Sequence, residues 1–124
     1  MRALILAALL TLAAAPPKPL MIGSEAFPQS DIVDARAIAD ATGMPAVMIT
    51  LSPGAAARLA ALTATNIGKP LPITLGGKHL MTPIVSAAIT QGELQISGNL
   101  TFDSATALAR QISGKEPLPE STDE

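Results

Sequence analysis

Two stretches decide the fold: Leu62-Thr63-Ala64-Thr65-Asn66-Ile67-Gly68-Lys69-Pro70-Leu71 and Leu94-Gln95-Ile96-Ser97-Gly98-Asn99-Leu100-Thr101. In the first, an alanine-rich run gives way to Gly68-Lys69-Pro70, where glycine supplies a left-handed helix end and proline forbids continuation. Leu71 to Leu75 then reads as a strand, closed by Gly76-Gly77, a pair suited to a tight hairpin turn with positive φ. In the second, polar and apolar residues alternate from Glu93 to Ser97 as in a half-buried strand. Thr101 is then placed to cap a helix from Phe102 to Ile112.

Working outward, Ala46-Val47-Met48-Ile49-Thr50-Leu51 is apolar and β-branched after the punctuation Gly43-Met44-Pro45, which predicts a strand. Ser52-Pro53 predicts a helix start, a hydroxyl cap followed by proline at the first helical position, with Leu59 and Leu62 facing the core. Pro72 lacks a ladder donor, so its strand is either an edge or begins after it. Lys78 to Leu80 pairs back across the turn, and Ile84 to Ile89 reads as a further extended stretch. In the last helix Phe102, Ala105, Ala109 and Ile112 form one stripe, Asp103 sits near the positive end, and Gly114 stops it. Residues 31–41 fit two readings. Their propensity and Ser30 as a cap favour helix, while the alternation of Ile32, Asp34, Arg36, Ile38 and Asp40 is too mixed to choose.

These elements predict an α+β domain, a mostly antiparallel sheet of about four to five strands with two helices packed on one face. Val47, Ile49, Leu51, Leu71, Ile73, Leu75, Leu94 and Ile96 line the covered face, and Thr50, Thr74, Gln95 and Ser97 fall on the other.

Composition narrows the function classes. The 124 residues are 48% apolar and 15% charged, with Phe27 and Phe102 as the two aromatics and no cysteine. Disulfide and thiolate chemistry are therefore absent, and core contacts come from Leu, Ile, Val and Met. A net charge of -2 with no Lys/Arg cluster argues against nucleic acid as a partner. His79, beside the hairpin turn, has no acid or nucleophile at motif spacing. There is no Gly-x-Ser-x-Gly elbow, no metal-ligand spacing and no phosphate loop, so we expect no enzyme, no cofactor and no metal.

Arg2, the apolar run Ala3 to Leu12 and Ala13-Ala14-Ala15 have the plan of a secretory signal peptide over residues 1–15, cleaved near Ala13 to Ala15. The run is short for a bilayer span, so no membrane span is expected in the mature chain, which would be periplasmic or secreted. Residues 16–20 read as an extended, proline-rich lead-in, residues 21–114 as the folded domain, and residues 115–124 as a disordered acidic tail.

The two opening stretches together resemble SecD, specifically the head subdomain of its first periplasmic domain. The resemblance runs from Ile22-Gly23-Ser24-Glu25-Ala26 through Asp34-Ala35, Pro45 to Leu51, Gly54 and Ala55 to Leu108–Pro119. Its most specific parts are Thr63-x-x-Asn66-Ile67-Gly68-Lys69-Pro70, Pro83-Ile84 and Gln95-Ile96-Ser97-Gly98-Asn99. It departs from the family's pattern at Gly76, where an acid is usual, at Leu100, where an aromatic is usual, and at Pro72. The resemblance implies that residues 31–41 form a strand turning back through Thr42-Gly43-Met44-Pro45. It also implies a non-catalytic head that contacts unfolded or emerging polypeptide, or Sec export components, in protein translocation. The proton-coupling acids of the family's membrane helices have no counterpart in this sequence, so the expectation is a freestanding secreted head without a motor. The alternative is an envelope interaction protein that kept the fold and binds a dedicated folded partner. Met48, Thr74, Met81, Ile84 and Gln95 are the candidate polypeptide contacts, by strand addition at the edge-like strand after Pro70 and by adaptable apolar side chains.

Overall fold

The computed structural model describes residues 19–119; the leader reading of residues 1–15 and the end of the acidic tail lie outside them. Seven strands and two helices follow one another as β1 (Leu20–Ile22), β2 (Glu25–Phe27), a 3-10 turn (Gln29–Asp31), β3 (Ile32–Ala39), β4 (Pro45–Leu51), α1 (Pro53–Ala64), β5 (Ile73–Leu75), β6 (Lys78–Met81), β7 (Glu93–Ile96) and α2 (Phe102–Ser113). The fold is α+β, and every strand pairing is antiparallel. The strands divide between two sheets, ordered β2-β1-β5-β6 and β3-β4-β7. Their inner faces and both helices share one hydrophobic core, from Leu20, Ile22 and Phe27 through Val47 and Ile49 to Leu59, Ala105 and Ile112.

The contested segment 31–41 is strand β3, as the resemblance implies. The turn after it explains the choice. Asp40 Oδ1 accepts from Thr42 N at 2.8 Å, Thr42 Oγ1 at 2.7 Å and Met44 N at 2.9 Å, around Gly43 at φ 86°. An aspartate that satisfies three donors of a reversing turn commits the preceding residues to pair with the returning strand. Ala35 then sits opposite Ile49 and Ala37 opposite Val47, on the inner face.

Both helices start as the sequence directs. The Ser52 side chain accepts from Ala55 N ahead of Pro53, and Thr101 and Ser104 form a reciprocal capping box. Gly114, at φ 77°, closes α2. The α2 stripe is narrower than expected: Ala105, Ala109 and Ile112 are buried, but Phe102 is 50% exposed. Phe102 stands at the first helical position, one turn before the helix meets β3 and β4, and reaches past the core.

Pro72 lies outside the sheet, and β5 begins after it. Contrary to the edge reading, β5 is interior, paired with β1 on one side and β6 on the other. The short N-terminal strand β1, which the sequence does not flag, takes the place beside it. Ile84 to Ile89 is also not a strand. Apart from the bridge between Pro70 and Ile84, it is held by separate ties: Gly68 N to Val85 O at 2.7 Å, Val85 N to Lys69 O at 3.1 Å, and Leu71 N to Pro83 O at 2.9 Å.

A side-chain tie comes from Thr63. Wholly buried on α1, its Oγ1 donates to Leu59 O at 2.8 Å and accepts from Ile89 N at 2.8 Å. The hydroxyl thus satisfies a backbone N–H that no strand serves. Residues 115–119, read from composition as the start of a disordered tail, are held by polar ties that an apolar count misses. Leu118 N donates to Asp34 Oδ1 at 2.7 Å, the Arg36 guanidinium donates to Leu118 O, and Arg36 Nε donates to Asp34 Oδ2 at 2.8 Å.

Two predictions follow from the buried polar ties. Thr63→Val keeps the side chain's shape but strands the Ile89 N–H, and should cost about 1–3 kcal/mol with faster exchange of the Ile89 amide; unchanged exchange would refute the tie. The Asp34 carboxyl is held below its ordinary value of 3.8 by the Arg36 hydrogen bond, which together with the Leu118 N–H outweighs burial. Its folded form therefore binds the proton less readily than the unfolded chain, and its stabilisation is full above about pH 3.8 and fades as pH falls through the lower folded value. Asp34→Ala should destabilise by about 1–3 kcal/mol at neutral pH. The gap to the parent should narrow in acid, as denaturant titrations on both sides of that value will show.

Candidate functional site

The two sheets share a core but do not share a ladder, and concavities open where β6 and β7 stay unpaired. One cleft of about 270 Å³ is floored by Ile22, Leu59, Leu71, Ile73, Val85 and Leu94. Its rim carries Met81, Ile84, Glu93 and Gln95. The floor is apolar because it is the core itself reaching the surface where β6 and β7 fail to pair. One wall is the irregular segment from Pro83 to Ile89, fixed by Thr63 and by the Gly68–Val85 and Lys69–Val85 hydrogen bonds. Ile84, at its rim, is 61% exposed.

Three of the five candidate contacts, Met81, Ile84 and Gln95, therefore meet at one cleft. The other two do not join them. Met48 is directly opposite Gln95 across the β4–β7 pair and shares with it the outer face of the three-stranded sheet, beside Arg36, but it does not line the cleft. Thr74 lies between Met21 and His79 on the outer face of the other sheet. With the sheet split in two, residues that alternation puts on a common open face are carried on separate surfaces.

A second cleft, of about 440 Å³, lies at the opposite end of β6 and β7. It is bounded by Lys78 to Leu80, by Ile96 to Leu100, and by Ser104, Leu108 and Gln111 of α2. His79 stands here, its Nε2 2.6 Å from Thr82 Oγ1. That pairing sets a hydroxyl against the ring, and among the described residues no carboxylate is hydrogen-bonded to the imidazole to orient it. Among the described residues no group of three or more His, Cys, Asp or Glu is placed to hold a metal.

Sequence reasoning missed Thr63 and Arg58. Thr63 lies inside a motif that points to a helix stop, and nothing local signals that its hydroxyl serves a residue 26 positions away. Arg58, on α1, stacks over Phe27 at 4.6 Å and donates to Asp31 at 2.8 Å, to Glu25 at 3.1 Å and to Ala26 O. It fastens the β1–β2 hairpin to the helix, so Ile22 stays in place as cleft floor. A lone arginine in an alanine-rich helix was the available signal.

Comparison with known proteins agrees with this architecture. The family model described as SecDF, P1 head subdomain, matches residues 8–116. The protein translocase subunit SecDF of Thermus thermophilus is 36% identical over 103 residues, covering 82% of this chain and 14% of that protein. The SecD subunit of Acidaminococcus fermentans is 38% identical over 99 residues, covering 79% of this chain and 24% of that protein. A solved structure of SecDF, described as a membrane component that enhances protein export, superposes with a TM-score of 0.65 at 35% identity, covering 73% of this chain and 41% of that chain. The chain thus spans at most about a quarter of these curated relatives, and among its described residues no helix is long and apolar enough to cross a membrane. By family model, sequence identity and fold alike, the chain belongs to the SecDF P1 head subdomain family.

Proposed function

We propose that this domain is a non-catalytic head that binds unfolded or emerging polypeptide in protein translocation, outside the cytoplasm and without proton-driven motor activity of its own. Residues 1–15 serve as its leader in this reading. The observation that carries it is the cleft where Met81, Ile84 and Gln95 meet, an apolar floor open to solvent between two sheets. A thioether and a branched aliphatic chain at the rim offer contact that adapts to different apolar side chains, as a non-selective polypeptide binder requires. Family membership supplies the context of export, and the self-contained core supports action as a separate folded body.

Gln95 and Glu93 limit the surface to a narrow apolar strip with polar margins, which suits transient contact more than permanent burial. The opposing reading, an envelope protein with one dedicated folded partner, calls for a flat polar face instead.

Photocrosslinking in cells separates the two. A photoreactive residue at position 81, 84 or 95 should give a heterogeneous ladder of adducts with many exported proteins, and position 74, on the far face, should give few. One discrete adduct from all three cleft positions would overturn the proposal in favour of the dedicated partner.

A further inference from the structure

Resting on that reading, we infer that the bound polypeptide enters as an extended strand between β6 and β7, joining the two sheets into one. Among the described residues β6 pairs only with β5 and β7 only with β4, so each is an open edge of its sheet. The two edges confront each other. Lys78 to Leu80 shares one cleft with Ile96 to Gly98, and Met81 and Pro83 share the other with Glu93 to Gln95. The pairing of residues at the two ends also fixes direction: β6 runs up the seam as β7 runs down it.

A sheet edge presents backbone N–H and C=O groups that favour another extended backbone over any other partner. One contact crosses the seam between these strands, Ser97 N donating to Met81 Sδ at 3.4 Å. A thioether is a weak acceptor. The Ser97 amide, one residue beyond β7, is thus held by the poorest partner the protein has to offer, and a peptide carbonyl is a better one. Met81 is flexible at three bonds and withdraws without disturbing the backbone. It works as a displaceable stopper between the two edges.

The guest's chemistry follows from what surrounds the seam. Pairing takes place through the backbone and so tolerates many sequences. The cleft floor accepts alternate side chains on the inner face, and these must be apolar. Lys78 lies at one end and Glu93 at the other, both exposed, which favours a guest with an acid near Lys78 and a base near Glu93. The four residues of β6 pair with about four guest residues, ~13 Å when extended, leaving one flanking residue at each end of a six-residue segment. The completed order would be β2-β1-β5-β6-guest-β7-β4-β3, a continuous sheet over the existing core. A guest held on both sides has no free edge of its own, which would also shield it from other unfolded chains.

The test uses the whole folded chain and three synthetic peptides of about six residues, alternating valine and threonine between a terminal aspartate and a terminal lysine. One is unmodified. The second carries N-methyl groups on the odd residues and the third on the even ones, since alternate amides of an inserted strand point to opposite edges. Anisotropy titration should show that either methylated set loses about tenfold or more in affinity, while amide exchange at Ser97 slows with the unmodified peptide alone. If only one set weakens, the guest uses a single edge and the joining of the sheets is refuted. If neither weakens and all three bind, the cleft holds side chains without strand pairing, and polypeptide binding survives while this mode does not. If none binds and the cleft positions also crosslink to one partner, the polypeptide reading itself fails.

Discussion

The hydroxyl of Thr63 is the contact on which this domain's shape depends. A helix buried against a core satisfies its own amides, but an irregular segment laid beside it does not, and buried N–H groups without partners are costly. By accepting from Ile89 N while donating to Leu59 O, Thr63 lets the segment from Pro83 to Ile89 lie against α1 without becoming a strand. With its other end tied back to residues 68–71, the segment forms a wall of the cleft and leaves the edges of β6 and β7 unpaired, at the division between the two sheets.

That division has a physical logic in the composition. With two aromatics, one of them half exposed, the core consists of aliphatic chains and small alanines, and α2 lies close to β3 and β4 through Ala35, Ala105 and Ala109. Packing of small residues gives close backbone approach but little area, so fixed polar ties carry a larger share of the ordering. They recur at each junction: Arg58 between the hairpin and α1, Asp34 and Arg36 between β3 and the chain beyond α2, and Asp40 in the β3–β4 turn. Each binds backbone or charge at a place where apolar contact alone would leave the segment loose.

What could be read from the sequence were the features set by neighbouring residues. Ser52-Pro53, Thr101 with Ser104, Gly76-Gly77 and Gly114 each carry their conformational instruction within a turn of chain, and helices and hairpin fall where they direct. The strand β3 was ambiguous because its deciding interaction, the Asp40 carboxylate on Thr42 and Met44, lies beyond its end. Two sheets instead of one, the interior position of β5, and the burial of Thr63 depend on partners far along the chain and left no local trace. Likewise three of the five candidate residues converge on one cleft, but alternation assigns a residue to a face without saying which sheet the face belongs to.

The seam also bears on how such a domain manages two of the four sheet edges among its described residues, β6 and β7. Exposed edges invite pairing with any unfolded chain, and proteins usually blunt them with charge, shortness or cover. Here β6 and β7 are each four residues shorter than β3, each carries a charge at its outer end, Lys78 and Glu93, and each faces the other across a gap the Met81 side chain occupies. In the insertion mode proposed above, protection of these two edges and binding of a single extended segment would come from one arrangement of two strands that stop short of pairing.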